Sequence, residues 1–482
     1  MKIYGSLGSG VRFTRRFLDW RFLGAVVSFH LSVVGALASC SDGDDVLGAW
    51  GPDAAADTSD TTDTTEDAGG GAITRLPPDA ATSDAGPRSV VCEASPCATS
   101  LTTTLGRDRE GYCALLEDGR VACWGDNRTA ELGRGETLDQ ASPIAAPVVG
   151  LSNITFLHHT CAIDKDGATW CWGTGPYLRD PSSPATTEHT PVKLPIPPAT
   201  MVAVNWDLAS NVAVGCAVVG AEVLCWGTNK NGQIAQVDSL DASSLGTFLP
   251  VVHALPPGAP IKQLAVGTAS LVLRNDGTLL SWGATLPLGR MSSLAPSPYA
   301  EPIALSGVSG IDVGHDNACA VAQGIAYCWG SAEVLGSADW ELVDPLKRAL
   351  PSAVPTPEPL VQIDTIKPTG NAYRALRACA VGVSGDVYCW GGNTFGQAGD
   401  GTKEHATASV KVVGLPAPAV EVKTTPASTC ALLTTGKIFC WGDDYHGQLG
   451  NGKRFEPSLT PIEVQLPCDT RREASRFRSA FV

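Results

Sequence analysis

The dipeptide Trp-Gly occurs at Trp124, Trp172, Trp226, Trp282, Trp329, Trp390 and Trp441, a mean interval of about 53 residues. Self-similarity at such a period marks a repeat architecture, in which each unit buries its apolar faces against its neighbours. In the first unit Cys113-Ala114-Leu115-Leu116 leads through Asp118-Gly119 into Val121-Ala122-Cys123, just before Trp124. Two short runs of strand formers around a Gly-containing turn predict a β-hairpin. Several units continue with a Gly-rich loop, as in Gly396-Gln397-Ala398-Gly399-Asp400-Gly401 and Gly447-Gln448-Leu449-Gly450-Asn451-Gly452. A Pro-led strand follows: Pro147-Val148-Val149, Pro191-Val192, Pro250-Val251-Val252, Pro302-Ile303 and Pro461-Ile462-Glu463-Val464. Composition agrees, since 52 Gly and 34 Pro favour turns and 17% charged residues are too few for long solvated helices.

This pattern resembles the RCC1 (regulator of chromosome condensation) repeat family over about residues 100–467, most closely in the last two repeats. The Gly-Gln-Leu-Gly loop is missing after Trp172, Trp282 and Trp329. WD40 repeats are shorter and place Asp after Trp, and kelch repeats place their glycines differently. The resemblance implies an all-β fold, a seven-bladed β-propeller. A single four-stranded sheet cannot hide both faces, whereas blades packed around an axis bury both and leave short edges. The first repeat is expected to begin at a strand over 101–105, and the last strand, 461–466, to complete the first blade and close the ring.

Six repeats carry a pair of cysteines: Cys113 with Cys123, Cys161 with Cys171, Cys216 with Cys225, Cys319 with Cys328, Cys379 with Cys389, and Cys430 with Cys440. A three-residue loop such as Glu117-Asp118-Gly119 explains a spacing of ten, and a two-residue loop such as Gly220-Ala221 a spacing of nine. Counting outward from either loop sets the two Cys opposite each other on adjacent strands, within disulfide range. The remaining repeat has Leu271 and Ser281 at these places. Loss of both together is what bonded partners predict. Zinc binding needs closely spaced Cys ligands, which these are not, so no metal is predicted. Cys92, Cys97 and Cys468 remain. Either one of the first two bonds Cys468, or Cys92 and Cys97 form a local loop and leave Cys468 free.

The N-terminal region sets the compartment. A basic stretch ending at Arg21 is followed by an apolar run and then by Leu37-Ala38-Ser39-Cys40, which resembles a bacterial lipobox. It predicts a signal peptide over 1–39 and a lipidated Cys40, which with Ser41 behind it fits outer-membrane or cell-surface anchoring. The alternative is cleavage after Ala38 and a soluble secreted protein. Residues 40–90 hold ten Asp and Glu66 against Arg75 and Arg88, with Trp50 the one aromatic. Such a segment buries too little to offset its ordering entropy and is expected to be a disordered, extended tether. The propeller then occupies 91–467 and a C-terminal tail 468–482.

No catalytic set is evident. His158-His159 lacks spaced co-ligands and reads as a surface or packed pair. Asp164-Lys165-Asp166-Gly167-Ala168-Thr169-Trp170 resembles the Asp-box of sialidases with the aspartate one place out of register, and reads as a hairpin turn. Asn127, Asn229 and Asn393, each three residues past a Trp, read as turn-stabilising. A net charge of −15 disfavours nucleic-acid binding. Nuclear members of the family imply nucleotide exchange and chromatin binding, and exported relatives imply protein binding. The expectation is a monomeric, non-catalytic scaffold without cofactor, held to the membrane only by its lipid, whose partner is a protein or an envelope polymer. Its recognition surface is expected in the long excursions 173–190, 228–249 and 331–358. The alternative is an exported glycan-acting hydrolase or lyase with its site in the propeller channel.

Overall fold

The computed structural model describes residues 88–467, apart from 94, 106–109, 136–139, 181–182, 184, 208–211, 235–246, 315, 331–347 and 367–375. Residues 1–87 and 468–482 lie outside it, and with them the signal peptide, Cys40, most of the acidic tether, the C-terminal tail and Cys468.

Seven four-stranded antiparallel sheets follow one another along the chain. Blade 1 consists of β1 (Ala98–Thr103), β2 (Gly111–Leu116), β3 (Val121–Gly125) and β4 (Ser142–Pro147). The next six blades span 154–193, 201–253, 261–302, 308–354, 360–411 and 419–463. The first strands of successive blades contact one another around the ring, the first of blade 7 with β1 included, and they line a central cavity. The fold is an all-β, seven-bladed propeller.

Two expectations are corrected. The final strand, Ser458–Glu463, pairs with its own neighbour in blade 7 and does not complete blade 1. Blade 1 needs no donated strand, because its innermost strand begins at Ala98, earlier than the 101–105 expected, and supplies the fourth member itself. Nor does proline lead the outermost strands: Pro147 and Pro302 end theirs, and Pro191, Pro250 and Pro461 lie within. An edge strand tolerates a residue without an N–H, and there proline also blocks pairing with a further chain.

The hairpin register places each Cys opposite its partner. Disulfides join Cys113 to Cys123, Cys161 to Cys171, Cys216 to Cys225, Cys319 to Cys328, Cys379 to Cys389 and Cys430 to Cys440, with Cα atoms 4.0–4.1 Å apart. Leu271 faces Ser281 at the same place in blade 4. A seventh bond joins Cys92 to Cys97 and so decides between the two pairings left open for those residues. Every cysteine among the described residues is therefore paired, the chemistry of an oxidising compartment.

Trp-Gly has a physical explanation. All seven Trp are fully buried. In six of them the indole N–H is seen donating, at 2.6–3.0 Å, to a loop carbonyl of the preceding blade: Trp124 to Gln448, Trp172 to Glu131, Trp226 to Pro176, Trp282 to Gln233, Trp329 to Pro287 and Trp441 to Gln397. The loop ahead of Trp390 lies outside the described residues. The following Gly turns the strand away at positive φ, as at Gly227 (φ 107°), where a Cβ would stand 2.0 Å from the Ala213 carbonyl. The second Gly of Gly-x-x-Gly makes room for the incoming indole, with a Cβ at Gly399 falling 2.5 Å from Trp441.

Where the loop motif is missing, other residues rebuild the contact. Pro176 with buried Tyr177 does so in blade 2, and a one-turn helix, Leu286–Leu288, in blade 4. Elsewhere Asn127, Asn229 and Asn393, with Asp444 in blade 7, each accept a backbone N–H five residues on. The Asp164 turn holds itself in a similar way, taking the Ala168 N–H and the Trp170 indole N–H, both at 3.0 Å.

Two tests follow from this packing. In the double variant Leu271→Cys, Ser281→Cys the new thiols stand opposed and should oxidise spontaneously, as non-reducing mass analysis would show. The oxidised protein should be about 2–3 kcal/mol more stable to denaturant than Leu271→Cys alone, which loses the same leucine without closing a loop. The second concerns Glu131, which is fully buried and stands where blades 3, 6 and 7 have Gln233, Gln397 and Gln448, all accepting the N–H two residues earlier. Burial, with Asp126 nearby, raises its carboxyl to about 7. The folded state thus holds a proton that the unfolded chain releases near pH 4.5, so stability falls as pH rises between those values. Glu131→Gln should match the wild type near pH 4.5 and exceed it by about 1–3 kcal/mol above pH 7, read from paired denaturation curves.

Candidate functional site

The channel is a cavity of about 640 Å³ walled by the innermost strands. It collects Asp312, Asp364, Glu421, Lys262, Lys423, His158 and His159 with Gln263 and Gln362. Such a set at the mouth of a pocket is what a catalytic channel requires. The hydrogen bonds give most of these groups another task.

An innermost strand pairs on one side only, leaving N–H and C=O groups facing the next blade. Side chains answer them at matching positions. The third residue of the strand bonds the fourth of the next blade: Gln263 accepts from Ile311 N–H, Gln362 from Val422 and Glu421 from Leu101. Both glutamines also donate to the carbonyl of the same residue. The fifth residue bonds the sixth of the next blade: Thr102 accepts from His159 N–H, Asp312 from Thr365 and Asp364 from Thr424, all at 2.8–2.9 Å. A β-bulge at the start of six innermost strands brings the third residue into this position.

Lys423 lies 3.2 Å from Asp364 and 3.4 Å from Glu421. Burial pulls its ammonium group down, but the surrounding carboxylates outweigh that and raise it, so it stays charged at any physiological pH. His159 is buried with Nδ1 at 3.0 Å from the Thr103 hydroxyl, and its ring meets His158 edge-on at 4.3 Å. His159, bonded to Thr102 and Thr103, joins blade 2 to blade 1, with the His158 ring against its own.

A second polar cluster, which sequence reasoning missed, lies where blades 6, 7 and 1 meet. Fully buried Arg377 donates to the carbonyls of Thr425 and Ser428, both at 2.9 Å. From blade 1, Glu110 accepts from Thr425 Oγ1 at 2.7 Å and from Ala427 N–H at 3.0 Å, and Tyr112 meets Ser428 Oγ at 3.0 Å. Burial raises the Glu110 carboxyl to about 8. Nothing in the sequence near Glu110 or Arg377 forms a motif, because their partners in blade 7 lie between 48 and 318 residues away.

The two ends of the ring differ. Hairpin turns and inter-blade connections lie at one, and the loops between third and fourth strands at the other. The latter carries ordered aromatics: Tyr445 and Phe455 in blade 7 are 59% and 61% exposed, their rings edge-on at 5.3 Å. Phe455 is held at φ 64° by its N–H bond to Asp444 O, while Arg454 donates to Tyr445 O and lies over the Phe455 ring. Phe395, in the corresponding loop of blade 6, is 43% exposed. Of the excursions expected to bind, 173–190 is partly strand, and much of 228–249 and 331–358 lies outside the described residues.

Residues 427–448 match the family model described as the regulator of chromosome condensation (RCC1) repeat. The ultraviolet-B receptor UVR8 of Arabidopsis thaliana is 26% identical over 377 residues, covering 74% of this chain and 80% of that protein. The guanine nucleotide exchange factor SRM1 of Saccharomyces cerevisiae is 27% identical over 248 residues, 46% of this chain and 51% of that protein. Among solved structures, Prp20p from Saccharomyces cerevisiae aligns with a TM-score of 0.57 at 19% identity, covering 76% of this chain and 96% of that one. Human WBSCR16 aligns at 0.52 and 18% identity, covering 72% and 94%. These structural likenesses speak to the fold. The chain is a seven-bladed β-propeller that carries a match to the RCC1 repeat at residues 427–448.

Proposed function

We propose that this chain is an exported, non-catalytic binding scaffold, acylated at Cys40 and carried on the acidic segment up to residue 90, whose propeller engages another protein through the loop face of blades 6 and 7. The observation that carries the reading is the contrast between channel and surface. In the channel, Asp312, Asp364, Glu421 and the two glutamines are taken up in joining blades. On the loop face, Tyr445, Phe455 and Phe395 stand exposed on backbone fixed by hydrogen bonds. Rigid exposed aromatics are what protein interfaces use as anchors. Prp20p binds Gsp1p and histones, which supports a protein partner for a propeller of this shape. The seven disulfides support export.

Affinity capture from envelope extracts with the mature chain should recover a discrete protein. The double variant Tyr445→Ala, Phe455→Ala should weaken its binding at least about tenfold with an unchanged melting temperature. Glycan cleavage without a protein partner would overturn this reading in favour of a channel enzyme. Mass analysis of the mature N-terminus should find an acylated Cys40, and an unmodified peptide starting at Ser39 or later would remove the anchor.

A further inference from the structure

We propose that the Cys92–Cys97 disulfide is a redox-sensitive clasp on the ring, set apart from the six hairpin bonds by its place and its accessibility. Six junctions between blades are crossed by the chain itself, from the outermost strand of one blade to the innermost strand of the next. The junction of blades 7 and 1 has neither that connection nor a shared strand.

A strap that includes residues 91–93 and 95–98 crosses it instead. Val91 N–H donates to Thr434 O at 2.8 Å and Ala98 N–H to Gly436 O at 2.9 Å, both in the hairpin turn of blade 7. Cys97 O accepts from Glu117 N–H at 3.0 Å in the matching turn of blade 1. The contact on blade 7 is close, since a Cβ at Gly436 would lie 2.2 Å from Cys97 Sγ. The disulfide closes the strap into a loop at the point where it touches both turns.

Accessibility separates this bond from the rest. The twelve hairpin cysteines are wholly buried between strands. Cys92 reaches solvent, beside buried Cys97. A thiolate must reach a sulfur atom to exchange with it, so an accessible disulfide reacts while buried ones stay intact. A dithiol attacks Cys92 Sγ and expels the Cys97 thiolate, which takes up a proton. The second thiol of the reagent then displaces Cys92, leaving two protein thiols and one cyclic oxidised reagent. The strap loosens and the seam between blades 7 and 1 opens more often, while each cross-linked blade keeps its own bond.

The test is graded dithiothreitol on the native full-length protein, followed by alkylation, peptide mass analysis and hydrogen–deuterium exchange. Cys92 and Cys97 should be alkylated at reductant levels that leave the twelve hairpin cysteines protected. Exchange should then rise at least about tenfold at the amides of Val91, Ala98 and Glu117, which donate the bonds of the strap, with blades 3 to 5 unchanged. The double variant Cys92→Ala, Cys97→Ala should reproduce that local pattern without reductant. The double variant Cys319→Ala, Cys328→Ala, which also loses one disulfide, should leave the seam protected. Simultaneous reduction of hairpin bonds, unchanged seam exchange in the variant lacking Cys92 and Cys97, or a native bond from either cysteine to Cys468 would overturn the proposal.

Discussion

The ring depends on one repeated hydrogen bond, from a buried indole N–H to a loop carbonyl of the preceding blade. An indole ring in a blade-to-blade interface removes a large apolar surface from water but brings a donor with it, and that donor must be satisfied. The carbonyl at the Gly-Gln-Leu-Gly loop satisfies it and fixes where each blade sits on its neighbour. Each half of the contact sets the other: the loop needs glycine to admit the ring, and the ring needs the loop to be wound so that its carbonyl points inward. The bond from Trp124 to Gln448 crosses the closure seam like any internal junction, so the last blade meets the first with the geometry of the others.

The same logic governs the channel. Seven innermost strands arranged around an axis are all edge strands on their inward side, and unpaired backbone groups there require partners. Gln, Glu, Asp and Thr at two fixed positions provide them across each junction where they occur. Carboxylates gathered this way look like a reactive cluster when only their proximity is considered. Their hydrogen bonds show a framework, since each of these carboxylates accepts a backbone N–H of the next blade and so helps to join the two.

Closure without strand exchange distributes its cost differently from a ring with a shared strand. The seam is held by side-chain and strap contacts: Glu110 in the Thr425–Ser428 turn, Glu421 at Leu101, and Val91 and Ala98 against blade 7. Three titratable groups, Glu110, Tyr112 and Arg377, are buried in this one region, and hydrogen bonds to the Thr425–Ser428 turn offset much of the cost of burying them. Packing around them adds Leu466 and Val90, so residues near both ends of the described chain meet in the same apolar cluster.

How much of this was legible in the sequence follows from the range of each interaction. The hairpins, their cysteine register, the asparagine turns and the burial of Trp are local: within about ten residues, turn length and strand alternation decide which side chains face each other. Blade number followed from counting Trp-Gly. Gln263, Gln362 and Glu421 also share one repeat position and could have been found by aligning innermost strands, but their role is unreadable without the neighbouring blade. Which strand completes blade 1, which partner Cys97 takes, and why Glu110 and Arg377 are buried depend on how distant segments meet at the closing seam. Sequence alone thus determined the kind of module and how it is pinned within itself. The tertiary structure decided how the ring closes and which polar groups are consumed in closing it, because contacts across a junction are set by packing in space and leave no spacing along the chain.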